Sequence, residues 1–324
     1  MDELEQLVNR AWETRQNFTP AIYFYAPGAK HYANRYYQNH PYAFVNLSVT
    51  GEGCACRCEH CNGRLLQSML ATSTPAAMRT AVDRIVAQEG RGILVSGGAN
   101  SFGEVPLLPF AEVLAYARQQ GLTVLVHSGL IRRETARALK AAGVDQVLMD
   151  IIGDRDTIAQ VYHLDQTPEQ YLQSMLICRE EGLQIAPHVI IGLHFGQIKG
   201  EYQALQMIQQ AEPETVLLPI LTPACGTAMA NVSPPPPDET EKVFATARIM
   251  FPDTPISLGC ARPPGIYKRN VEIRAVDCGV NGIAYPDEHT VEYACSRGLE
   301  TVFDEACCSL IGRQISLERM AGLG

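Results

Sequence analysis

The sequence predicts an α/β protein built on a (β/α)8 barrel of the TIM type, with an N-terminal helical extension and a short C-terminal tail. From residue 42 onward, short apolar and β-branched runs alternate with amphipathic stretches of helical periodicity. The runs contain few polar positions, as expected for parallel strands that helices cover. Eight strand–helix units over roughly 250 residues fit such a barrel. An open doubly wound sheet is the alternative, although no GxGxxG sequence follows the first strand.

The eight predicted units follow one another without a long linker. The strands are short apolar runs at 42–49, 92–96, 123–128, 145–151, 183–192, 215–221, 255–259 and 281–285. The helices that follow them are amphipathic stretches at about 75–88, 106–119, 132–141, 167–181, 199–211, 238–249, 265–277 and 288–297.

Three parts of the chain are distinguished by this pattern. Residues 1–41 are predicted to form an acidic amphipathic helix and an irregular tyrosine-rich segment, residues 42–299 the barrel, and residues 300–324 a cysteine-containing tail. The N-terminus lacks the basic and then apolar pattern of a signal peptide. These features predict a cytoplasmic protein.

Composition and charge exclude several classes of function. Hydrophobic residues make up 46% of the 324 residues and charged residues 19%, which is ordinary for a globular enzyme. The formal net charge of −9 argues against nucleic acid or an anionic membrane surface as a partner. No apolar run reaches the roughly 18 residues of a membrane span.

Cysteine is the most informative residue type. The chain has eleven cysteines, and four of them lie within eight residues: Cys54, Cys56, Cys58 and Cys61. So dense a group favours metal or cluster ligation over disulfide bonds. The group follows the first barrel strand, so we expect it at the C-terminal mouth of the barrel, where active sites of this fold lie. Thiolates suit both iron–sulfur clusters and zinc, and a closed zinc site is the alternative interpretation.

The spacing Cys54-x3-Cys58-x2-Cys61 resembles the signature of the radical S-adenosylmethionine (SAM) superfamily, and His60 resembles the aromatic residue that usually precedes its last cysteine. The resemblance implies a [4Fe–4S] cluster held by three thiolates, with SAM bound to the fourth iron. It also implies cleavage of SAM to a 5′-deoxyadenosyl radical that removes an unactivated hydrogen. Cys56, which the spacing skips, is interpreted as a bystander.

Two glycines at the end of the second strand are similar to that family's SAM-binding motif. Gly97 and Gly98 match the glycines of its GGE sequence, which receives the methionyl amino group, whereas Ala99 replaces the glutamate. The alternative is a glycine turn that requires positive φ.

Two further strand ends complete the expected SAM site. Asp150 resembles the acidic residue that binds the ribose, although a carboxylate there is also typical of a turn cap. Ile191 and Gly192 match the fifth-strand segment that packs against adenine, and an ordinary core strand is the alternative.

Within the family, residues 42–300 resemble biotin synthase. Arg262 falls where that enzyme has an arginine ligand of its second cluster. Its cysteine ligands, however, are replaced at the matching strand ends by Ser96, by His127 or Ser128, and by His188. Biotin synthase itself is therefore disfavoured. His127, His188 and His194 are expected near the mouth, either as contacts for substrate or as hydrogen-bonded core residues.

The late cysteines point to another branch. Cys225 and Cys260 follow the sixth and seventh strands, and Cys307 and Cys308 lie in a tail expected to fold back over the mouth. With the sequences GCACRCEHC, GCARPPG and CCS, the chain is similar to the two-protein lipoyl synthases. The resemblance implies an auxiliary [4Fe–4S] cluster as sulfur source, for which Ser309 is a candidate unusual ligand.

The hypothesis from sequence is therefore a radical SAM sulfurtransferase that inserts sulfur at C6 or C8 of a protein-bound octanoyl chain. Its expected partners are SAM, an octanoylated carrier protein or lipoyl domain, a related radical SAM subunit, and an electron donor such as ferredoxin or flavodoxin. One alternative is a biotin synthase-like enzyme of another reaction type, such as rearrangement, methylation or ring formation. The other is a non-catalytic zinc or iron–sulfur binding module.

Overall fold

A computed structural model describes residues 2–320, so the last four residues of the predicted tail, 321–324, lie outside the described residues. The strands, in chain order, are β1 (Ala21–Tyr25), β2 (Phe44–Ser48), β3 (Leu70–Ala71), β4 (Gly92–Ser96), β5 (Thr123–His127), β6 (Gln146–Asp150), β7 (Ile185–His188), β8 (Val216–Leu217), β9 (Ile256–Leu258), β10 (Gly282–Ala284) and β11 (Glu300–Asp304). The helices are α1 (Glu3–Arg15), α2 (Pro75–Ala87), α3 (Ala111–Gln119), α4 (Arg133–Ala141), α5 (Arg155–Val161), α6 (Pro168–Glu180), α7 (Glu201–Ala211), α8 (Pro237–Met250), α9 (Ile266–Asp277), α10 (Glu288–Ser296) and α11 (Ile311–Met320).

The strands form one parallel sheet in the order β11-β1-β10-β9-β8-β7-β6-β5-β4-β2-β3. All eight predicted strands are present as β2 and β4 to β10, and each of them pairs with its neighbour along the chain. Each is followed by a helix on the outside of the sheet, which confirms the TIM-type class. Parallel pairing brings the C-terminal strand ends to one side of the sheet, so their residues share one mouth.

The terminal segments add strands that the sequence pattern did not predict. The expectation of an irregular segment after the first helix is wrong for β1, whose apolar residues are buried between β10 and β11. A five-residue run without alternation has no periodicity to identify it. The predicted tail likewise contains β11 and α11. Among residues 2–320, β3 and β11 do not pair with each other. At this open seam, Arg91 before β4 forms a 3.2 Å ion pair with Glu305 after β11.

Local signals set the helix starts. Thr74 caps α2 by accepting a hydrogen bond from the backbone amide of Ala77, and Pro75 supplies the fixed φ of the first turn. Thr167 and Gln170 form a capping box at the start of α6. The apolar faces of these helices pack on the outside of the sheet, which secures the position of the strand ends.

The barrel interior holds a separate apolar cluster that includes the tail. Leu125, Leu148 and Ala186, on successive strands, pack with Cys308 and Ile311 of the tail. The tail therefore folds back into the barrel interior rather than over its mouth.

Helix α11 closes the opposite end of the barrel. The amide of Gly312 donates to the hydroxyl of Thr215 at 3.0 Å, and Arg313 pairs with Asp145 at 3.0 Å. Thr215 and Asp145 directly precede β8 and β6. With this end filled, the C-terminal strand ends remain as the accessible mouth.

Candidate active site

The first cysteine loop is a compact turn anchored to its neighbouring strand. The loop, residues 53–62, follows β2 closely, and the amide of Ala55 donates to the carbonyl of Ala99 beyond β4 at 2.9 Å. Within the loop, the amide of Asn62 donates to the carbonyl of Cys58 at 2.7 Å. Arg57 and Asn62 adopt positive φ values of 47° and 45°, which allow the tight turns. The loop therefore presents several thiols from one rigid segment.

The thiols of this loop form a crowded donor set. The ligand atoms of Cys58, His60 and Cys61 lie within 4.8 Å of one another. A hydrogen bond from Cys58, with a further one from His60, outweighs burial and lowers the pKa of the Cys61 thiol to about 4. The hydrogen bonds to Cys56 and to Cys61, together with burial, raise the pKa of Cys58. Crowded thiols of this kind ionise together only around a cation.

The loop supplies the donor types of the [4Fe–4S] cluster that its spacing implies, and Cys54 lies outside the 4.8 Å set of Cys58, His60 and Cys61. Three thiolates are the soft ligands that such a cluster prefers. The buried Nδ1 atom of His60 has no hydrogen-bond partner among residues 2–320, and the ring centroid lies 5.3 Å from that of Tyr162 at an interplanar angle of 48°. An unsatisfied buried nitrogen beside the thiols is the kind of group that a bound sulfide-rich cofactor satisfies.

Cys56 is buried inside the same loop. Its thiol donates to the carbonyl of Asn100 at 3.3 Å. Hydrogen bonds from Cys54 and Cys58 lower its pKa to about 3. Its bystander role stays a prediction.

The two glycines at the end of β4 have a packing role. Neither Gly97 nor Gly98 has positive φ, so the glycine-turn alternative is wrong. A Cβ atom on Gly98 would instead overlap the carbonyl oxygen of Gly53 and lie 2.5 Å from the Cα of Cys54. The amide of Gly98 donates to the hydroxyl of Thr50 at 2.7 Å. Gly98 thus allows the strand end to touch the cysteine loop, and its contact with SAM stays a prediction.

Three polar side chains meet at the ends of β5, β6 and β7. The ligand atoms of His127, Asp150 and His188 lie within 4.8 Å of one another. Nε2 of His127 lies 3.5 Å from Oδ1 of Asp150, and Oδ2 of Asp150 accepts from the hydroxyl of Tyr162 at 3.3 Å. Asp150 therefore lies at the mouth, next to the aromatic residue that contacts His60.

The protonation of this group is unequal. Burial lowers the pKa of His127, but the hydrogen bond and charge of Asp150 outweigh it and raise the pKa above its ordinary value. Burial alone raises the pKa of Asp150, yet His127 holds it well below its usual range. Burial and the charge of His127 lower the pKa of His188 to about 4, so its ring is neutral at neutral pH.

Ile191 and Gly192 follow β7 and are packed into the fold. Ile191 is completely buried and forms a parallel bridge with Ile220. Gly192 has a φ of 78°, and its amide donates to the buried carboxylate of Glu201 at 2.7 Å. Their contact with adenine stays a prediction. His194 lies apart from His127 and His188 and forms a 3.1 Å hydrogen bond with Thr157.

We call Cys260, Cys307 and Cys308 the late-cysteine group: Cys307 and Cys308 are adjacent in the tail, and the exposed Cys260 follows β9. Within residues 2–320, the three sulfur atoms are not all within 4.8 Å of one another. A hydrogen bond to Cys307 raises the pKa of Cys308, and the negative charge of Cys260 adds to this effect. All three cysteines contribute, after burial, to the raised pKa of Tyr285. The hydroxyl of Ser309 donates to the sulfur of Cys307 at 3.3 Å. The tail thus brings a cysteine pair into the barrel near the thiol that follows β9.

Cys225 has different surroundings. It is exposed in the loop after β8. The next residue, Gly226, lies against the side chain of Arg64, and the amide of Met229 donates to the carbonyl of Glu59 at 3.4 Å. This loop therefore packs on the first cysteine loop, and ligation by Cys225 stays a prediction.

Arg262 is committed to structural contacts. Its side chain is 1% exposed, and its Nε donates to Glu272 at 2.7 Å. Its remaining donors face the carbonyls of Gly259, Ala284 and Tyr285. With its donors bound in this way, the guanidinium is a structural group and has no free lone pair for a metal.

Two residues of the site were not identified from the sequence. Tyr162 directly follows α5, a short helix that the sequence pattern did not predict. Its signal was Asp154, which caps that helix by accepting from the amide of Thr157 at 2.8 Å. Thr50, the acceptor for Gly98, has no signal in the sequence alone.

Comparison with known proteins places these observations in a family. Residues 48–204 match the radical SAM superfamily, and this segment contains the whole first cysteine loop together with Gly97, Gly98 and Asp150. The matched segment belongs to the radical SAM superfamily. The chain is a radical SAM enzyme, and the family implies a [4Fe–4S] cluster and SAM as its cofactors.

Curated relatives of the chain are biotin synthases. It is 31% identical to biotin synthase of Cenarchaeum symbiosum over 143 residues, which are 44% of this chain and 44% of that protein. It is 25% identical to biotin synthase 2 of Polaromonas sp. over 247 residues, which are 75% of this chain and 71% of that protein. These matches place the radical SAM enzyme in the biotin synthase-like branch.

Solved structures share its fold. Methylornithine synthase (PylB) superposes with a TM-score of 0.63 at 13% identity, covering 97% of this chain and 93% of that chain. The [FeFe]-hydrogenase maturase HydG from Carboxydothermus hydrogenoformans superposes with a TM-score of 0.63 at 18% identity. The superposition covers 95% of this chain and 74% of that chain. At these identities the likeness concerns the fold alone. Within residues 2–320, no helix has the length and apolar character to cross a membrane.

Proposed function

We propose that this radical SAM enzyme is a sulfurtransferase, one subunit of a two-protein lipoyl synthase that inserts sulfur into a protein-bound octanoyl chain. The observation that carries the proposal is the late-cysteine group. Cys307 and Cys308 lie in the barrel interior, and the exposed Cys260 after β9 is near enough to act on the pKa of Cys308. None of the three belongs to the first cysteine loop. A second set of thiolates is what a sulfur-donating cluster requires.

The first cysteine loop and the strand ends would hold the radical-generating cofactors. When bound, the [4Fe–4S] cluster and SAM supply a 5′-deoxyadenosyl radical that removes a hydrogen atom from an unactivated carbon. Cys54, Cys58 and Cys61 would bind the cluster. The backbone at Gly97 and Gly98 would receive the methionyl amino group.

The remaining SAM contacts would come from the next strands. Asp150 would accept hydrogen bonds from the ribose through its carboxylate, whose Oδ2 already faces the hydroxyl of Tyr162. The segment at Ile191 and Gly192 would lie along the adenine. Helix α11 fills the opposite end of the barrel, so it would exclude water from that side of the radical.

The late-cysteine group would hold the auxiliary cluster. Cys260, Cys307 and Cys308 supply three thiolates, and Cys225 or Ser309 is the candidate for a fourth ligand. The octanoylated carrier protein or lipoyl domain, the related subunit and the ferredoxin or flavodoxin electron donor belong to this proposal.

The test combines cluster counting with product analysis. The anaerobically reconstituted chain should bind about eight irons, as two [4Fe–4S] clusters require. A Cys307→Ser/Cys308→Ser variant should keep about four irons and still release 5′-deoxyadenosine from SAM and reductant. With an octanoyl-lysyl peptide, the wild-type chain should add one sulfur atom, detected by mass spectrometry, and the variant none.

The matched control is Cys178→Ser, since Cys178 is a buried cysteine of α6 outside both groups. It should keep both clusters and the sulfur product. A wild-type chain with about four irons would contradict the sulfur-donor role. Release of 5′-deoxyadenosine without a sulfur product, even with the related subunit present, would favour another radical SAM reaction.

A further inference from the structure

We propose that His127, Asp150 and His188 bind a single divalent transition-metal ion of the Zn²⁺ or Fe²⁺ class inside the barrel mouth. Its three ligands belong neither to the first cysteine loop nor to the late-cysteine group, although Cys307 is a near neighbour of His127. It goes beyond the proposed sulfur insertion and does not depend on it.

The topology brings the three side chains together. They end three successive parallel strands, and Asp150 and His188 are register partners between β6 and β7. Their ligand atoms lie within 4.8 Å of one another. With metal–ligand lengths of about 2.1 Å, tetrahedral ligand atoms lie roughly 3.4 Å apart. The 3.5 Å separation of His127 Nε2 and Asp150 Oδ1 already has this value.

The ring of His188 is already oriented as in a metal-binding histidine. Its Nδ1 lies 3.0 Å from the carbonyl oxygen of Ala186, an acceptor that requires Nδ1 to carry the proton. The lone pair is therefore on Nε2, which is free to bind a metal. A backbone carbonyl that holds the second ring nitrogen in this way is a regular feature of metal-binding histidines.

The charge of the group is suited to binding a cation. Among residues 2–320, no lysine or arginine forms an ion pair with Asp150, whose only ionic partner is His127. The side chains of Asp150 and His127 are each only 26% exposed. Without a metal, His127 offsets the charge of Asp150 across their 3.5 Å contact. A divalent ion bound between them would take over that role and release the proton of His127.

The ligand set selects the metal class. Two imidazoles and one carboxylate with open positions are typical of Zn²⁺ catalytic sites and of mononuclear Fe²⁺ sites. Binding through Oδ1 leaves Oδ2 of Asp150 available to Tyr162 or to a ribose hydroxyl. The open positions face the mouth and would take water or a carbonyl, carboxylate or thiolate of a bound ligand.

The test uses Co²⁺ as the probe on the full chain with its clusters in place. Clusters in the diamagnetic [4Fe–4S]²⁺ state occupy the cysteines and leave high-spin Co²⁺ as the paramagnetic species. After desalting, the wild type should retain one Co²⁺ per chain, with a high-spin signal in electron paramagnetic resonance and no sulfur-to-cobalt charge-transfer band. His188→Asn and His127→Gln should each weaken retention at least about 100-fold.

The matched control is His194→Gln, which replaces a histidine near the mouth that bonds to Thr157. It should retain Co²⁺ like the wild type, and circular dichroism should show that every variant is folded. The proposal is overturned if the wild type retains no Co²⁺, if the His188 and His127 variants retain it, or if Cys307→Ser/Cys308→Ser loses it. Iron counts and sulfur products are measured separately, so failure here is distinguishable from failure of the proposed function.

Discussion

The two groups of cysteines in this barrel are assembled in opposite ways. In the first loop, Cys54 to Cys61 lie within eight residues, and short backbone contacts with the end of β4 set their geometry. In the late-cysteine group, Cys260 follows β9, whereas Cys307 and Cys308 arrive on a tail that must enter the barrel. The first group is a local structure, and the second depends on tertiary packing. Perturbing the tail should therefore affect only the second.

The strongest test of this division removes the first loop's thiols. Cys54→Ala/Cys58→Ala/Cys61→Ala should abolish 5′-deoxyadenosine release, since no thiolate would remain to hold the SAM-binding cluster. Residual iron of about four atoms should stay with the late-cysteine group. Iron analysis and liquid chromatography of the nucleoside measure the two outcomes. A variant that loses all iron would show that the groups are not independent.

A substitution at Arg262 tests whether this residue has a structural role or binds a cluster. Arg262→Gln should cost up to about 3–5 kcal/mol in the free energy of unfolding, because Glu272 loses its fully buried partner and keeps only Lys268 as an ionic partner. Iron per folded chain should not change, because the guanidinium binds carbonyls and Glu272 rather than a cluster. Denaturant titration and iron analysis measure these effects. Loss of about four irons with unchanged stability would contradict the structural role.

The stability of this variant and that of the wild type should also respond differently to acid pH. Burial raises the pKa of Glu272, but Arg262 and Lys268 outweigh it and hold the pKa below its usual range. A lowered folded-state pKa contributes stability at neutral pH that is lost as pH falls through that pKa. Arg262→Gln should therefore lose less stability on acidification than the wild type.

The tail itself is tested at Ile311. This residue is fully buried against the barrel interior, so Ile311→Ala should cost about 2–5 kcal/mol by leaving a cavity. Iron of the late-cysteine group should become labile to chelators, while 5′-deoxyadenosine release persists. Leu317→Ala on the same helix is the matched control, because Leu317 is 54% exposed. Equal lability of both clusters in Ile311→Ala would remove the distinction between the two groups.

The same distinction explains what the sequence could predict. The eight strands, their helices and the first loop follow from local periodicity and spacing, and the structure and the family match confirm the fold and the radical SAM assignment. By contrast, β1, β11 and the entry of Cys307 into the barrel depend on contacts between the chain ends. The position of Arg262 in a buried network with Glu272 is likewise a tertiary property. No local pattern encodes such contacts.

The smallest expected effect concerns the packing that holds the first cysteine loop in place. Gly98→Ala should destabilise the protein by about 1–3 kcal/mol, because its Cβ would overlap the Gly53 carbonyl and press on Cys54. The displaced Cys54 should lower the iron retained by the first loop and leave the late-cysteine group unchanged. Gly53→Ala is the matched control, since a Cβ there meets only the carbonyl oxygen of Thr50 at 3.3 Å. If both variants retain iron equally in chelator challenge, then close packing of β4 on the loop does not set the geometry of Cys54.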